Sequence, residues 1–176
     1  MSTITIRRLF ISPGHNFFGH YGEEAGKNPL HGVDEIECVA GRGVRGDRFF
    51  DYKQDYKGQI TFFAQEVFED VCHSLGAAPE SAGVTRRNVI TVGIDLNSLI
   101  GKRFTVQDVE FEGVCECKPC VWMDLAIAPG AQAAMEGRGG LRAKILKDGR
   151  LRVQRPISAT QFPAPSEFPG RPDKLP

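Results

Sequence analysis

The densest chemistry in this sequence is the run Cys115-Glu116-Cys117-Lys118-Pro119-Cys120, three thiols within six residues. A thiolate is the nucleophilic and metal-binding form of cysteine, and a nearby cation raises its population around neutral pH. Lys118 supplies such a cation. Pro119 stops a regular strand from continuing and fixes the backbone just before Cys120. If the residues after Cys120 are helical, the start of that helix would favour the thiolate further. Three readings fit this run. Cys120 is a single working thiol; or the cluster is part of a zinc or iron–sulfur site, completed by Cys38, Cys72 or one of His15, His20, His31 and His73; or the cysteines simply end a strand. Cys38 and Cys72, standing alone, read as core filling.

The second chemical signal is Gly41-Arg42-Gly43-Val44-Arg45-Gly46-Asp47-Arg48, supported by Arg86-Arg87-Asn88 and Arg138-Gly139-Gly140. Glycine lets a backbone approach a ligand, and arginine offers a planar, permanently charged fork to phosphate or carboxylate. The spacing matches neither a dinucleotide fingerprint nor a P-loop. Any one of these turns, taken alone, reads as solvated surface; together they point to an anionic small molecule. Arginine (14) outnumbers lysine (8), which suits bidentate anion contacts. No Ser–His–Asp order or paired-carboxylate spacing emerges, and His15 reads as a loop residue.

These side chains need a scaffold of short elements. Alternating apolar residues predict strands over 3–11, 35–39, 59–63 and 88–92, then a hairpin of 103–106 and 109–114 across Gln107-Asp108. Val67, Phe68, Val71, Cys72 and Leu75 fall on one stripe of a helix over 64–75, with Gly76 as its stop. Residues 12–34, rich in glycine and proline, read as a long loop, the kind that in compact domains is usually functional or mobile. A helical turn is expected within 95–101 and a weak helix or turn through 121–135. Leu141, Ala143 and Ile145 share a strand face, and Asp148-Gly149 predicts a hairpin into 151–153. About eight short strands, one clear amphipathic helix and a few short helices make a mainly β protein, a barrel of mostly antiparallel strands. Residues 1–155 form one domain, and 156–176, which hold six of the eleven prolines, form a peripheral tail that Phe162 and Phe168 could pin.

Composition narrows the classes. A chain of 176 residues can bury enough surface to fold without disulfides or metal. Twenty-two basic side chains balance 22 acidic ones, so no global field recruits nucleic acid. No apolar run approaches a membrane span, and the N-terminus reads as a strand, not as a signal peptide. A cytoplasmic location with reduced thiols is the expectation.

The succession Gly43-Val44-Arg45-Gly46-Asp47-Arg48, Arg86-x-Asn88-Val89, Leu99-x-Gly101, Lys118-Pro119-Cys120, Gly139-Gly140-Leu141 and Lys147-Asp148-Gly149 resembles the MOSC domain, named for the C-terminal part of eukaryotic molybdenum cofactor sulfurases. The resemblance covers roughly residues 34–153. It implies a β-barrel and one functional cysteine after a proline, here Cys120. That cysteine would be a thiolate ligand to molybdenum or a sulfur acceptor served by a pyridoxal-phosphate cysteine desulfurase. Molybdenum-binding relatives reduce N-hydroxylated compounds. By the same resemblance Arg48, Arg86 and Asn88 stand near the molybdenum cofactor, holding phosphate and pterin; Arg45, Asp47 and Arg138 join them as candidate contacts. The pattern departs from the family in three places. Phe49 follows Gly-Asp-Arg where histidine is common, Gln154-Arg155 replaces a Gly-Asp, and Cys115 and Cys117 are additional. The chain has no room for a desulfurase domain, so a cysteine desulfurase or a redox partner would be a separate protein.

Overall fold

The computed structural model describes residues 4–17 and 23–154. The proline-rich stretch 156–176, with Phe162 and Phe168, lies outside them. Ten strands appear among the described residues: β1 (Thr5–Ile11), β2 (His31–Val33), β3 (Glu35–Val39), β4 (Gly43–Val44), β5 (Ile60–Ala64), β6 (Val89–Val92), β7 (Arg103–Val106), β8 (Val109–Glu116), β9 (Leu141–Ile145) and β10 (Gly149–Arg152). Three α-helices accompany them: α1 (Gln65–Leu75), α2 (Trp122–Ala126) and α3 (Ala131–Ala134). Short 3₁₀ turns occupy Ala82–Thr85 and Leu96–Leu99.

The strands form a seven-stranded sheet, ordered β2-β1-β6-β5-β9-β8-β7, and a three-stranded sheet, ordered β10-β3-β4. The protein is mainly β, as the pattern predicts. The expected barrel is not seen as a closed ring: the ladders of the described residues leave two separate sheets. All ladders within the sheets are antiparallel except β5–β6. Parallel strands need a crossover, and α1 with the turn after it supplies one.

β5 is the centre of the packing. Its five residues, Ile-Thr-Phe-Phe-Ala, are all buried, as in a strand covered on both faces. Successive side chains alternate, so Phe62 enters the core with Ile6, Leu9, Ile36, Phe111 and Leu151, while Phe63 enters a second core with Phe68, Val71, Ile90, Met123 and Met135. Fully burying a phenylalanine contributes roughly 2–3 kcal/mol. Helix α1 closes the second core with Phe68 and Val71 and ends at Gly76, whose φ of 61° is the left-handed conformation glycine accepts at low cost.

The Asp148-Gly149 hairpin is a correction. The chain does turn there, but β10 leaves β9 and pairs with β3 in the other sheet, Leu151 opposite Ile36. The Asp148 carboxylate accepts from the Ala40 amide at 2.7 Å, tying the turn to β3's end and not to its own hairpin. The loop 12–34 also contains a strand, β2, too short for its alternation to show.

Candidate functional site

The ladder of β8 runs to Glu116, two residues further than the pattern predicts, and the thiol segment then leaves the sheet. It is pinned from the neighbouring strand entry: the Cys117 amide donates to the Gly140 carbonyl at 2.7 Å, and the Gly139 amide donates to the Glu116 carboxylate at 3.0 Å. A Cβ on Gly139 would lie 2.6 Å from the Cys117 carbonyl oxygen and 2.7 Å from Pro119 Cδ. Glycine is needed there because the two backbones touch.

Arg87 locks the same junction from inside. Its guanidinium donates to the carbonyls of Cys117 (2.9 Å), Thr85 (3.1 Å) and Gly139 (3.2 Å). The arrangement leaves Cys117 buried at 3% exposure, Cys115 half-buried and Cys120 exposed. Both Cys117 and Cys120 line one cavity of about 330 Å³.

Four guanidiniums reach that cavity from separate stretches of chain: Arg48, Arg86, Arg87 and Arg142. Lys118 joins them, and among the described residues no carboxylate lines it. Arg48 donates to the Arg86 carbonyl at 2.9 Å and to Asp47 at 3.2 Å. Asp47 stands behind the lining, accepting from the Ser12 amide at 3.1 Å. Arg86 donates to Ser12 Oγ at 2.6 Å and to the Gly14 carbonyl at 2.8 Å, which fastens the segment just after β1 against the cavity. Its own backbone is left-handed, φ 58°, a conformation rare for a side chain of this size and held here by those contacts.

Carbonyl partners satisfy hydrogen bonds without cancelling charge. Burial, and then the neighbouring Arg48, lower the Arg86 pKa to about 10. Burial likewise lowers that of Arg48, although Asp47 opposes the shift. Burial works against the charge of Arg142 too, but Cys117 and Tyr56 outweigh it and its pKa is raised. Tyr56 accepts from Arg142 at 3.0 Å. Burial and Arg48 push the His15 pKa below its usual value. The cavity is a cationic recess with a thiol at its edge and an aromatic wall. Phe49 stacks with Tyr56 at 5.2 Å, His15 meets Phe49 edge-on at 4.8 Å, and Trp122 lies 5.9 Å from the Arg86 guanidinium.

The remaining sequence candidates lie elsewhere. Arg45 pairs with Glu37 at 2.9 Å on the outer surface. Arg138 pairs with Asp70 of α1 at 2.6 Å. Asn88 is buried outside the lining; it accepts from Thr61 and donates to the Phe10 carbonyl, joining β5 to β1. Arg142 belongs to no motif in the sequence. Its only signal is alternation: it sits between Leu141 and Ala143, on the face of β9 opposite theirs. Arg87 was visible within Arg86-Arg87-Asn88 but had no motif of its own.

Cys38 is a core residue whose thiol burial, then Glu37, push up to about 12. Among the described residues no group of three or more His, Cys, Asp or Glu gathers as metal ligands would, so the zinc reading has no ligand set there. Nor, among them, is any helix long and apolar enough to cross a membrane. A wider depression of about 490 Å³ beside Phe10 and Val153 has no thiol in its lining.

Known proteins agree with this architecture. The YuaD protein from Bacillus subtilis superposes with a TM-score of 0.65 at 16% identity, over 87% of this chain and 94% of that one. YiiM from Geobacillus stearothermophilus gives 0.60 at 14%, over 85% and 71%. YiiM from Escherichia coli gives 0.55 at 15%, over 84% of this chain and 66% of that one. These likenesses concern the fold. No curated protein sequence matches the chain. The sequence pattern of the MOSC domain matches residues 27–158, a span that holds every arginine of the cavity and Cys120, and the chain therefore belongs to the MOSC domain family.

Proposed function

We propose that the chain binds molybdenum cofactor in the cavity beside Cys120, with the Cys120 thiolate as a ligand to the metal. One observation carries the reading: among the described residues, an exposed thiol opens on a recess that four guanidiniums enter and no carboxylate lines. The donor set fits the group. Molybdenum accepts soft thiolate sulfur, and the pterin's phosphate needs fixed cations. Arg86 and Arg48 are crowded together with Asp47 as their nearby carboxylate, a repulsion that a bound anion relieves.

The chain's own residues then have distinct tasks. Arg48 and Arg86 hold phosphate and pterin, as the family resemblance implies, and Arg87 and Arg142 extend the same charged wall. Asp47 and Asn88 act from behind by fixing Arg48 and the strands. Arg45 and Arg138 are already occupied by surface carboxylates and contribute little. Phe49, His15 and Trp122 offer flat faces to a planar ring. Bound there, the metal would supply two-electron chemistry suited to reducing N-hydroxylated compounds, with electrons from a separate redox protein. The reading places the protein in the cytoplasm, with neither nucleic acid nor membrane as partner.

Exposure of Cys120 also favours a second reading, a sulfur carrier that accepts persulfide from a cysteine desulfurase, since transfer needs an accessible thiolate. Expression with the cofactor pathway active separates the two. The first reading expects purified protein to carry molybdenum near one atom per chain; metal-free protein from cells whose other molybdenum enzymes are loaded would overturn it. The second expects one added, reducible sulfur after incubation with a desulfurase and cysteine.

A further inference from the structure

Cys117 is an extra thiol in the MOSC pattern, and the proposed function leaves it without a task. Three observations converge on it. It lines the same cavity as Cys120, two residues intervening. Its backbone is held at both ends, the amide by Gly140 and the carbonyl by Arg87, whereas Cys120 lies at the exposed end of the segment. A thiolate formed at Cys117 would face the guanidiniums of Arg48 and Arg142, both of which sense its charge.

We propose that Cys117 is the resolving thiol for Cys120, so that the two close a reversible Cys-x-x-Cys disulfide within the cavity when a low-molecular-weight disulfide oxidises the protein. The division of labour follows from exposure. Cys120 is open to a visiting reagent; Cys117, at 3% exposure, is shielded from it and meets only a sulfur already inside the cavity. With glutathione disulfide the Cys120 thiolate attacks one sulfur. A protein–glutathione mixed disulfide forms and one glutathione thiolate leaves. The Cys117 thiolate then attacks the Cys120 sulfur, the Cys117–Cys120 bond forms, and the second glutathione thiolate leaves. Two protein thiols are oxidised, one glutathione disulfide is reduced to two thiols, and the two protein protons pass to solvent or to the leaving thiolates. The irregular path of 117–120 suits the closure, because a regular strand would hold the two Cα atoms too far apart for a disulfide. Cys115 lies outside that lining and is bypassed. The proposal rests on the two thiols alone and holds whether Cys120 serves a metal or a persulfide; either use would be suspended while the bond is closed.

The test is intact-mass analysis and thiol-mapped digestion of the full chain after incubation with glutathione disulfide. Wild-type protein is expected to lose two hydrogens, block Cys117 and Cys120 together against alkylation, and recover both on reduction. Cys117→Ser is expected to stop as a stable glutathione adduct on Cys120, and Cys120→Ser to give no Cys117 bond. Should Cys117→Ser fail to fold, the wild-type map alone decides. A wild-type product that stops as the Cys120 adduct, or that joins Cys120 to Cys115, would overturn the proposal. Loss of metal binding in Cys120→Ala bears on the proposed function only, so the two can fail separately.

Discussion

Nine of the described arginines fall into two populations that look the same in sequence. Arg42, Arg45, Arg138, Arg150 and Arg152 lie on the outer surface, and each meets a carboxylate: Asp51, Glu37, Asp70 and, for the last two, Glu35. Arg48, Arg86, Arg87 and Arg142 turn inward, and their partners are carbonyls, a hydroxyl and a phenol, with Asp47 the one carboxylate paired to them among the described residues. The first group is neutralised and solvated. The second keeps its charge where water is scarce, and the proposed anion binding rests on that surplus. Arg45 and Arg48, three residues apart in one glycine-rich turn, fall on opposite sides of the divide.

The largest effect expected from this contrast is at Asp47, whose side chain is 1% exposed. Asp47→Ala strips Arg48 of the carboxylate it is paired with and is expected to cost about 3 kcal/mol in urea unfolding, as breaking a buried pair does. Glu37→Ala, which releases the exposed Arg45, is expected to leave the midpoint unchanged. Equal effects would erase the distinction.

Next comes affinity. Arg48→Met is expected to weaken cofactor retention roughly tenfold to hundredfold, the worth of one charged hydrogen bond, whereas Arg45→Met and Arg138→Met retain it. Pterin released from purified variants measures this. A loss as large in Arg45→Met as in Arg48→Met would contradict the assignment.

A smaller effect concerns the thiol segment. Gly139→Ala forces a Cβ against the Cys117 carbonyl and Pro119, and is expected to cost about 2 kcal/mol by overpacking while displacing Cys120. The checks are thermal unfolding and the rate of Cys120 alkylation, which should change even where the fold survives.

The smallest is a pH effect at His15. Its folded pKa lies below 6.5, so the unfolded chain binds the proton first. Stability contributed by neutral His15 is present above 6.5 and is lost as pH falls from there through the folded value. His15→Gln is expected to flatten that part of the stability curve. An unchanged slope would show that neither burial nor Arg48 holds the His15 pKa down.

What could be read from sequence was what is local. The stripe of α1 and its Gly76 stop, the β7–β8 hairpin and the alternation of β9 follow from near neighbours and appear where expected. The pairing of β10 with β3 joins residues 149–152 to 35–38, and no turn residue encodes a partner that distant. The same holds at the site. Pro119-Cys120 was legible because the chemistry is in the side chain itself. Which arginines face inward was not, because Arg87 and Arg142 owe their places to tertiary contacts with the Cys117 carbonyl and Tyr56. Arg138 beside two glycines suggested a ligand turn, but the glycine at 139 serves close backbone packing and the arginine serves Asp70.

The central claim is that the Cys120 sulfur binds molybdenum inside the inward-facing arginine set. X-ray absorption at the molybdenum edge of cofactor-loaded protein tests it most directly. Wild-type protein should show one sulfur ligand beyond those of the pterin, and Cys120→Ser, loaded in the same way, should lose it. Identical metal–sulfur shells in the two proteins would contradict the account.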